Sequence, residues 1–337
     1  MKELNVYDTL IQNEALINEL KGNLFEFLVG RELASSHNLE GQFLSAIPED
    51  FHERLRGYEN WLRDNSEELL TQLPSLAKDT VRFFRSRVNE DLAGVLVVGK
   101  LAGGNHDQRL GEADLLVKTN TNLIPISLKL CKEKSFVNTK SAGVRSFISK
   151  YFGHSFQSAK NRQERLNQSL DKYYIELSKK LHILGGLNPE PRFGDAWLGA
   201  GLPELPGQLN PEMNRALKEH YHEMILLFFK TWQELLRENK NAFLDSMMPL
   251  LGFGLEEINQ LSCFYSGNYN FSYGSYKGRN SFRDALNDAE LREPKDGLSS
   301  FEMVMEDCIF QVRLKPMNKF TVSGLKVNCS LKQDKSC

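Results

Sequence analysis

Eight residues, Leu123 to Leu130 (LIPISLKL), constrain this chain more than any other segment. Ile124, Ile126, Leu128 and Leu130 alternate with Pro125, Ser127 and Lys129, and a period of two marks a β-strand with one buried face. Ser127 and Lys129 then share the opposite face. Just upstream, Ala113 to Val117 (ADLLV) reads as a second strand, and the polar TNTN between them suits a turn. The two strands are expected to pair as a hairpin. Ala93 to Val98 (AGVLVV) supplies a third, ending at Gly99 before an AGGNH loop that carries His106 and Asp107 nearby.

Helical patterns surround these strands. Leu16, Leu20, Leu24, Phe27 and Leu28 follow a helical period, as do the segments Phe51 to Asp64 and Glu67 to Val88. The first helix carries a second stripe, Gly22, Glu26, Val29 and Leu33, and a helix apolar on two sides is expected to be buried. Glu26 is then held away from water, which costs several kcal/mol, roughly, unless a cation or donor meets it. After the hairpin come a basic amphipathic stretch, Phe156 to Ile183, a Pro/Gly-rich passage from Gly185 to Pro211, and a helix over Glu212 to Arg237. Asn241 to Leu261 reads as a helix pair broken near Gly252 and Gly254, and the chain closes with strands at Cys308 to Leu314, Phe320 to Val322 and Leu325 to Leu331. The expected organisation is an α/β core over 1–184, a helical insertion over 185–300, and C-terminal strands over 301–337 that complete or flank the core sheet.

Composition narrows the class. With 337 residues, 41% hydrophobic and 26% charged, the chain resembles ordinary globular proteins. No apolar run approaches the roughly 18 residues of a membrane span, and the N-terminus lacks a signal-peptide pattern, so a cytoplasmic protein is expected. Five cysteines stand singly, which argues against a zinc ribbon and against a disulfide framework. A net charge of −2 gives no overall hint of a nucleic-acid partner. Its distribution does: from Ser127 to Lys180 there are twelve Lys or Arg against four Asp or Glu. A solvated helix face accounts for such an excess equally well.

The chemistry lies in Gly111-Glu112-Ala113-Asp114, twelve intervening residues, then Ser127-Leu128-Lys129. A hairpin lets Asp114 and Lys129 face one pocket. A carboxylate there can hold Mg²⁺, which keeps several waters and takes one or two carboxylates. Such an ion polarises a phosphate and lowers the pKa of bound water, while a neighbouring ammonium offsets transition-state charge. Glu26, Glu112 and the Leu128 carbonyl are further oxygen donors. Each residue also has a structural reading: Asp114 as a turn cap, Lys129 on a solvated edge strand, Glu26 in an ion pair.

With GNLFE on an early helix (Gly22 to Glu26), GEAD before a strand and SLK in the next, the pattern resembles the PD-(D/E)XK nuclease superfamily of restriction endonucleases and junction resolvases. The resemblance spans about Glu19 to Leu181. It implies a restriction-endonuclease-like αβββαβ core with large helical insertions and extra C-terminal strands, dependence on Mg²⁺ or Mn²⁺, and hydrolysis of double-stranded DNA leaving a 5′-phosphate. By motif position it makes Asp114 the metal ligand, Lys129 the catalytic lysine and Glu26 the helical acid. Ser127 stands where the family carries Asp or Glu. That leaves three outcomes: Glu26 or Glu112 replaces the missing acid, metal binding is weak, or catalysis has been lost.

Two segments are expected to meet DNA. In KEKSFVNTKSAGVRSFISKYF, Asn138, Lys140, Arg145 and Lys150 suit phosphates, and Asn138 and Arg145 also suit base edges. Ser266 to Arg283 holds three Tyr, two Phe and three basic residues without an acid, with Tyr276, Lys277 and Arg279 as candidate contacts. Either segment also reads as an ordinary surface loop or packed turn. The expected function is a sequence-specific type II restriction endonuclease, a homodimer by resemblance. The alternatives are a structure-specific or nonspecific nuclease, and a noncatalytic DNA-binding protein of the same fold.

Overall fold

The computed structural model describes residues 6–98, 110, 113–253, 258–306, 308–317 and 319–333. In chain order the helices are α1 (Val6–Ser35), α2 (Glu40–Ser45), α3 (Glu49–Asn65), α4 (Glu67–Arg87), α5 (Val144–Phe152), α6 (Ala159–Leu184), α7 (Asp195–Gly199), α8 (Pro211–Glu238), α9 (Lys240–Met247) and α10 (Arg279–Asn287). The strands are β1 (Leu92–Val97), β2 (Leu115–Thr119), β3 (Leu123–Lys132), β4 (Val137–Gly143), β5 (Asn259–Tyr265), β6 (Phe271–Lys277), β7 (Glu290–Arg292), β8 (Ser300–Val304), β9 (Cys308–Pro316) and β10 (Leu325–Gln333). No helix among the described residues is long and apolar enough to cross a membrane.

This mixed α/β chain divides into two units, and the divisions are not at 184 and 300. One unit combines Leu10–Val137 with Gly252–Asp284; the other combines Asn138–Leu251 with 285–333.

The first unit holds a five-stranded mixed sheet in the order β1-β2-β3-β5-β6. β1, β2 and β3 form an antiparallel meander, β5 lies parallel to β3, and β6 returns antiparallel to β5. The TNTN turn closes the expected hairpin, with Leu115 opposite Ile126 and Lys118 opposite Leu123. One sheet face is apolar: Leu115, Val117, Ile126, Leu128, Leu261 and Cys263 share a core with Leu24, Val29 and Leu33 of α1 and with Leu73, Val81 and Phe84 of α4. Two glycines let the helices approach. A Cβ on Gly30 of α1 would sit 3.1 Å from Leu115 Cδ2, and one on Gly274 of β6 would sit 2.5 Å from the Phe83 ring of α4.

β3 departs from its expected half-exposed form. Pro125, Ser127 and Cys131 are buried as well as Ile126 and Leu128, because β3 is a central strand covered on both sides. At Lys129 itself β3 pairs with β5 on one side, while β2 has already ended on the other. Asn241 to Leu261 is not a helix pair: α9 ends at Met247 and β5 begins at Asn259. Ser266 to Arg283 is not one loop, since it contains β6 and the start of α10.

The second unit holds the sheet β4-β10-β9-β8-β7, so the late strands build a sheet of their own rather than complete the first. β4 falls inside the KEKSFVNTKSAG segment, which is therefore a turn followed by a strand and not one loop. Phe320 to Val322 forms no strand. Instead Phe320 packs its ring against Phe193 and Trp197, in the cluster that joins α6 to α8. The Asn210 side chain caps α8 by accepting from the Met213 N–H at 2.9 Å, ahead of Pro211 at the first helical position. At the centre Trp232 of α8 is fully buried and meets Phe152 and Phe243 at 5.6 and 5.5 Å, Phe301 of β8 at 5.2 Å and Phe310 of β9 at 6.3 Å.

Candidate active site

β2 stops at Leu115 while β3 continues, so the β3 backbone beyond Ile126 has lost its strand neighbour on that side. Asp114 fills the gap. Its N–H donates to the Ile126 carbonyl at 2.8 Å, and its Oδ2 accepts from the Leu128 N–H at 2.7 Å, with Ser127 Oγ at 3.5 Å. The carboxylate thus lies beside the sheet edge against the two residues that precede Lys129. A residue's N–H and C=O project to the same side of a strand, so the Leu128 carbonyl also faces Asp114. Lys129 is half-buried and, by the pleat, shares its face with Ser127.

Glu26 is half-buried on α1, with Oε2 shut off from solvent. It stands one turn before Gly30, on the same side of the helix, and Gly30 is where α1 presses on Leu115. This places Glu26 along the helix from the residue that follows Asp114. Glu112, His106 and Asp107 lie outside the described residues.

Among the described residues no group of three or more His, Cys, Asp or Glu could hold a metal ion. The donor set near Asp114 fits an ion held by one or two carboxylates and retained waters, the habit of Mg²⁺, and does not fit an all-protein cage. Asp114, Glu26 and the Leu128 carbonyl are the groups that would hold it.

The sheet face that carries Ser127 and Lys129 is polar across three strands, β3, β5 and β6. Parallel pairing sets Ser127 beside Gln260 and Lys129 beside Ser262. Antiparallel pairing then sets Gln260 beside Lys277 and Ser262 beside Ser275. Ser127, Gln260, Ser262 and Ser275 are all buried. One rung further, Cys131, Phe264 and Tyr273 close the face with an apolar cluster that includes Val137. Burial pushes the Cys131 thiol up to about 12, against the pull of Lys129 and Lys21, so it stays protonated at neutral pH and offers no thiolate nucleophile.

Sequence reading missed Gln260, Ser262 and Ser275, because β5 itself went unrecognised. It also missed Lys21 of α1, which is buried and donates to the Tyr265 hydroxyl at 2.9 Å. Burial lowers the Lys21 pKa and raises that of Tyr265 to about 12.

The residues expected to contact DNA fall in both units. Asn138 is exposed and Lys140 half-buried on β4. On α5, Arg145 pairs with Asp171 and Lys150 lies over the Tyr151 ring. The Arg145 pair is solvent-exposed, and such pairs contribute only about 0.2–1 kcal/mol. In the first unit Tyr276 turns its ring to Phe84 at 5.5 Å, on the apolar face, so it packs rather than stacks on a ligand. Lys277 lies over the Phe282 ring, and Arg279 at the start of α10 is half-buried. No protein-family model matches the chain, and no curated protein matches it in sequence.

Position 127 offers a direct test of metal binding. A second carboxylate there would sit beside Asp114, and like charges that close disfavour ionisation unless a cation intervenes. Ser127→Asp is expected to melt below the parent in EDTA and to recover with Mg²⁺ or Mn²⁺, read by thermal unfolding. A variant whose melting ignores divalent ions would remove position 127 from any metal site.

Proposed function

We propose that this chain is a Mg²⁺-dependent DNA endonuclease of the PD-(D/E)XK kind, and that Asp114 and Lys129 are its principal catalytic residues. One observation carries the reading: the Asp114 carboxylate is held by the Leu128 N–H, next to Lys129, in a gap where β2 ends. Supporting it is the element order. Leaving aside β4, which joins the other sheet, the order of helices, a three-stranded meander, further helices and a strand returned parallel to the third resembles the order that αβββαβ describes.

Hydrolysis adds water across a P–O3′ bond, giving a 5′-phosphate and a 3′-hydroxyl. A divalent ion, when bound, polarises the phosphoryl oxygen and makes a bound water more acidic. Asp114 and Glu26 supply negative oxygens for that ion. Lys129 orients the attacking water and sets positive charge against the phosphate as its charge builds. Lys277, on the same sheet as Lys129, positions the duplex through its backbone. Of the nuclease types, a sequence-specific restriction endonuclease fits best, because the chain carries much more structure than the catalytic core requires. Two copies would serve to cut two strands.

A second reading has its own support. Ser127 replaces an acid, and no three-acid group is present among the described residues, as suits a DNA-binding protein without catalysis. Incubation with a sequenced plasmid and Mg²⁺, followed by mapping of the ends, decides. Discrete fragments with 5′-phosphates are expected. A smear or a preference for junctions indicates the structure-specific or nonspecific nuclease. A gel shift without any cut, in Mg²⁺ and in Mn²⁺, establishes the noncatalytic reading.

A further inference from the structure

Gln260 is 3% exposed, and its Nε2 is shut off from solvent with no hydrogen-bond partner among the described residues. A buried amide donor without an acceptor is unfavourable, and native proteins rarely keep one without a use. Its place in the sheet suggests the use. Gln260 pairs with Ser127 on one side and Lys277 on the other, so the row across the sheet runs Asp114, Ser127, Gln260, Lys277. The adjoining rung is Lys129, Ser262, Ser275.

Apart from Asp114, every member of these two rungs can donate a hydrogen bond, and two are cationic. Lys129 and Lys277 are half-buried, whereas Gln260 is enclosed between them. On these two rungs the buried donor left without a partner among the described residues is Gln260 Nε2. A ligand that satisfies it must bring an acceptor oxygen, with negative charge to suit the two lysines, and must reach past them to the amide.

We infer that Gln260 is a phosphate-binding residue, its Nε2 donating to a nonbridging oxygen of the DNA phosphodiester held by Lys129. The inference rests on reading this face as a nuclease site, and it adds a contact that the Asp114 and SLK motifs do not contain. A hydrocarbon in place of the amide abolishes the contact without breaking any hydrogen bond made by Nε2 within the protein.

The test uses the whole chain and its Gln260→Met and Gln260→Glu variants. Thermal unfolding is measured without DNA. Binding is measured by fluorescence anisotropy, with labelled duplex fragments of the test plasmid and Ca²⁺ in place of Mg²⁺. Gln260→Met is expected to melt no lower than the parent and to bind DNA roughly 10–100-fold more weakly, the worth of one hydrogen bond to a charged acceptor. Gln260→Glu, with an acceptor facing phosphate, is expected to bind more weakly still.

Parental affinity in Gln260→Met overturns the inference. So does a clear drop in its melting temperature, which would show that the amide already has a partner in the protein. If the parent binds duplex DNA but cuts none in Mg²⁺ or Mn²⁺, the nuclease reading falls while the binding comparison still decides the role of Gln260. If the parent neither binds nor cuts, both fall.

Discussion

Asp114→Asn is expected to reduce DNA cleavage by roughly a thousandfold or more while leaving the protein folded, the scale on which preorganised charge at an active site acts. Asparagine keeps an oxygen to accept the Leu128 N–H, so the gap beyond β2 stays filled and only the charge is lost. Asp114→Ala removes both. It leaves a strand N–H without its acceptor and should cost about 1–3 kcal/mol of stability in addition to activity. Comparing the two variants separates chemistry from architecture, which the alanine variant alone does not. Lys129→Met, which keeps most of the stem and removes the ammonium, is expected to lose cleavage to a similar degree. Glu26→Gln should weaken cleavage less, since Glu26 stands on α1 and not beside the hairpin residues Asp114 and Lys129. Plasmid cleavage with Mg²⁺ under single-turnover conditions reads all four. Wild-type rates in either Asp114→Asn or Lys129→Met would end the nuclease proposal at these residues.

The largest effect on folding is expected at Trp232. It is fully buried, and its ring is surrounded by phenylalanines from α5, α8, α9, β8 and β9, so it joins the helices of the second unit to that unit's own sheet. Removing so large a side chain from a packed core costs about 3–5 kcal/mol, through lost burial and the cavity left behind. Trp232→Ala should therefore shift the urea midpoint of this unit far down or abolish its folding. Trp232→Phe should be much milder. The indole Nε1 is buried with no hydrogen-bond partner among the described residues, so phenylalanine forfeits volume but no bond. Near-UV circular dichroism during urea unfolding follows the change. A shift below about 1 kcal/mol for Trp232→Ala would mean that the aromatic cluster does not hold this unit together.

Where signals were local, the residues spoke plainly. The β2–β3 hairpin follows from the alternation in LIPISLKL and the polar TNTN turn, both contained in a short window. α3, α4, α6 and α8 lie close to their expected bounds because each repeats an apolar stripe over several turns. Asp114 and Lys129 could be named together because one hairpin carries both. β5 was hidden for the opposite reason. Gln260, Leu261, Ser262 and Cys263 alternate for only four residues before Phe264 puts an apolar side chain on the polar face, so the period is too short to betray a strand. β6 was disguised by Gly274, whose missing side chain makes room for Phe83 and reads in isolation as a loop residue.

The amino-acid sequence by itself determined the hairpin, the long helices and the acid and lysine that the hairpin carries, since these depend on neighbours along the chain. Only the tertiary structure decided that β3 is a central strand, that the late strands form a separate sheet, and that Gln260 stands next to Ser127. Those outcomes depend on which strand pairs with which across long stretches of chain. Such pairings are selected by mutual burial of whole faces, and no single window of residues records that choice.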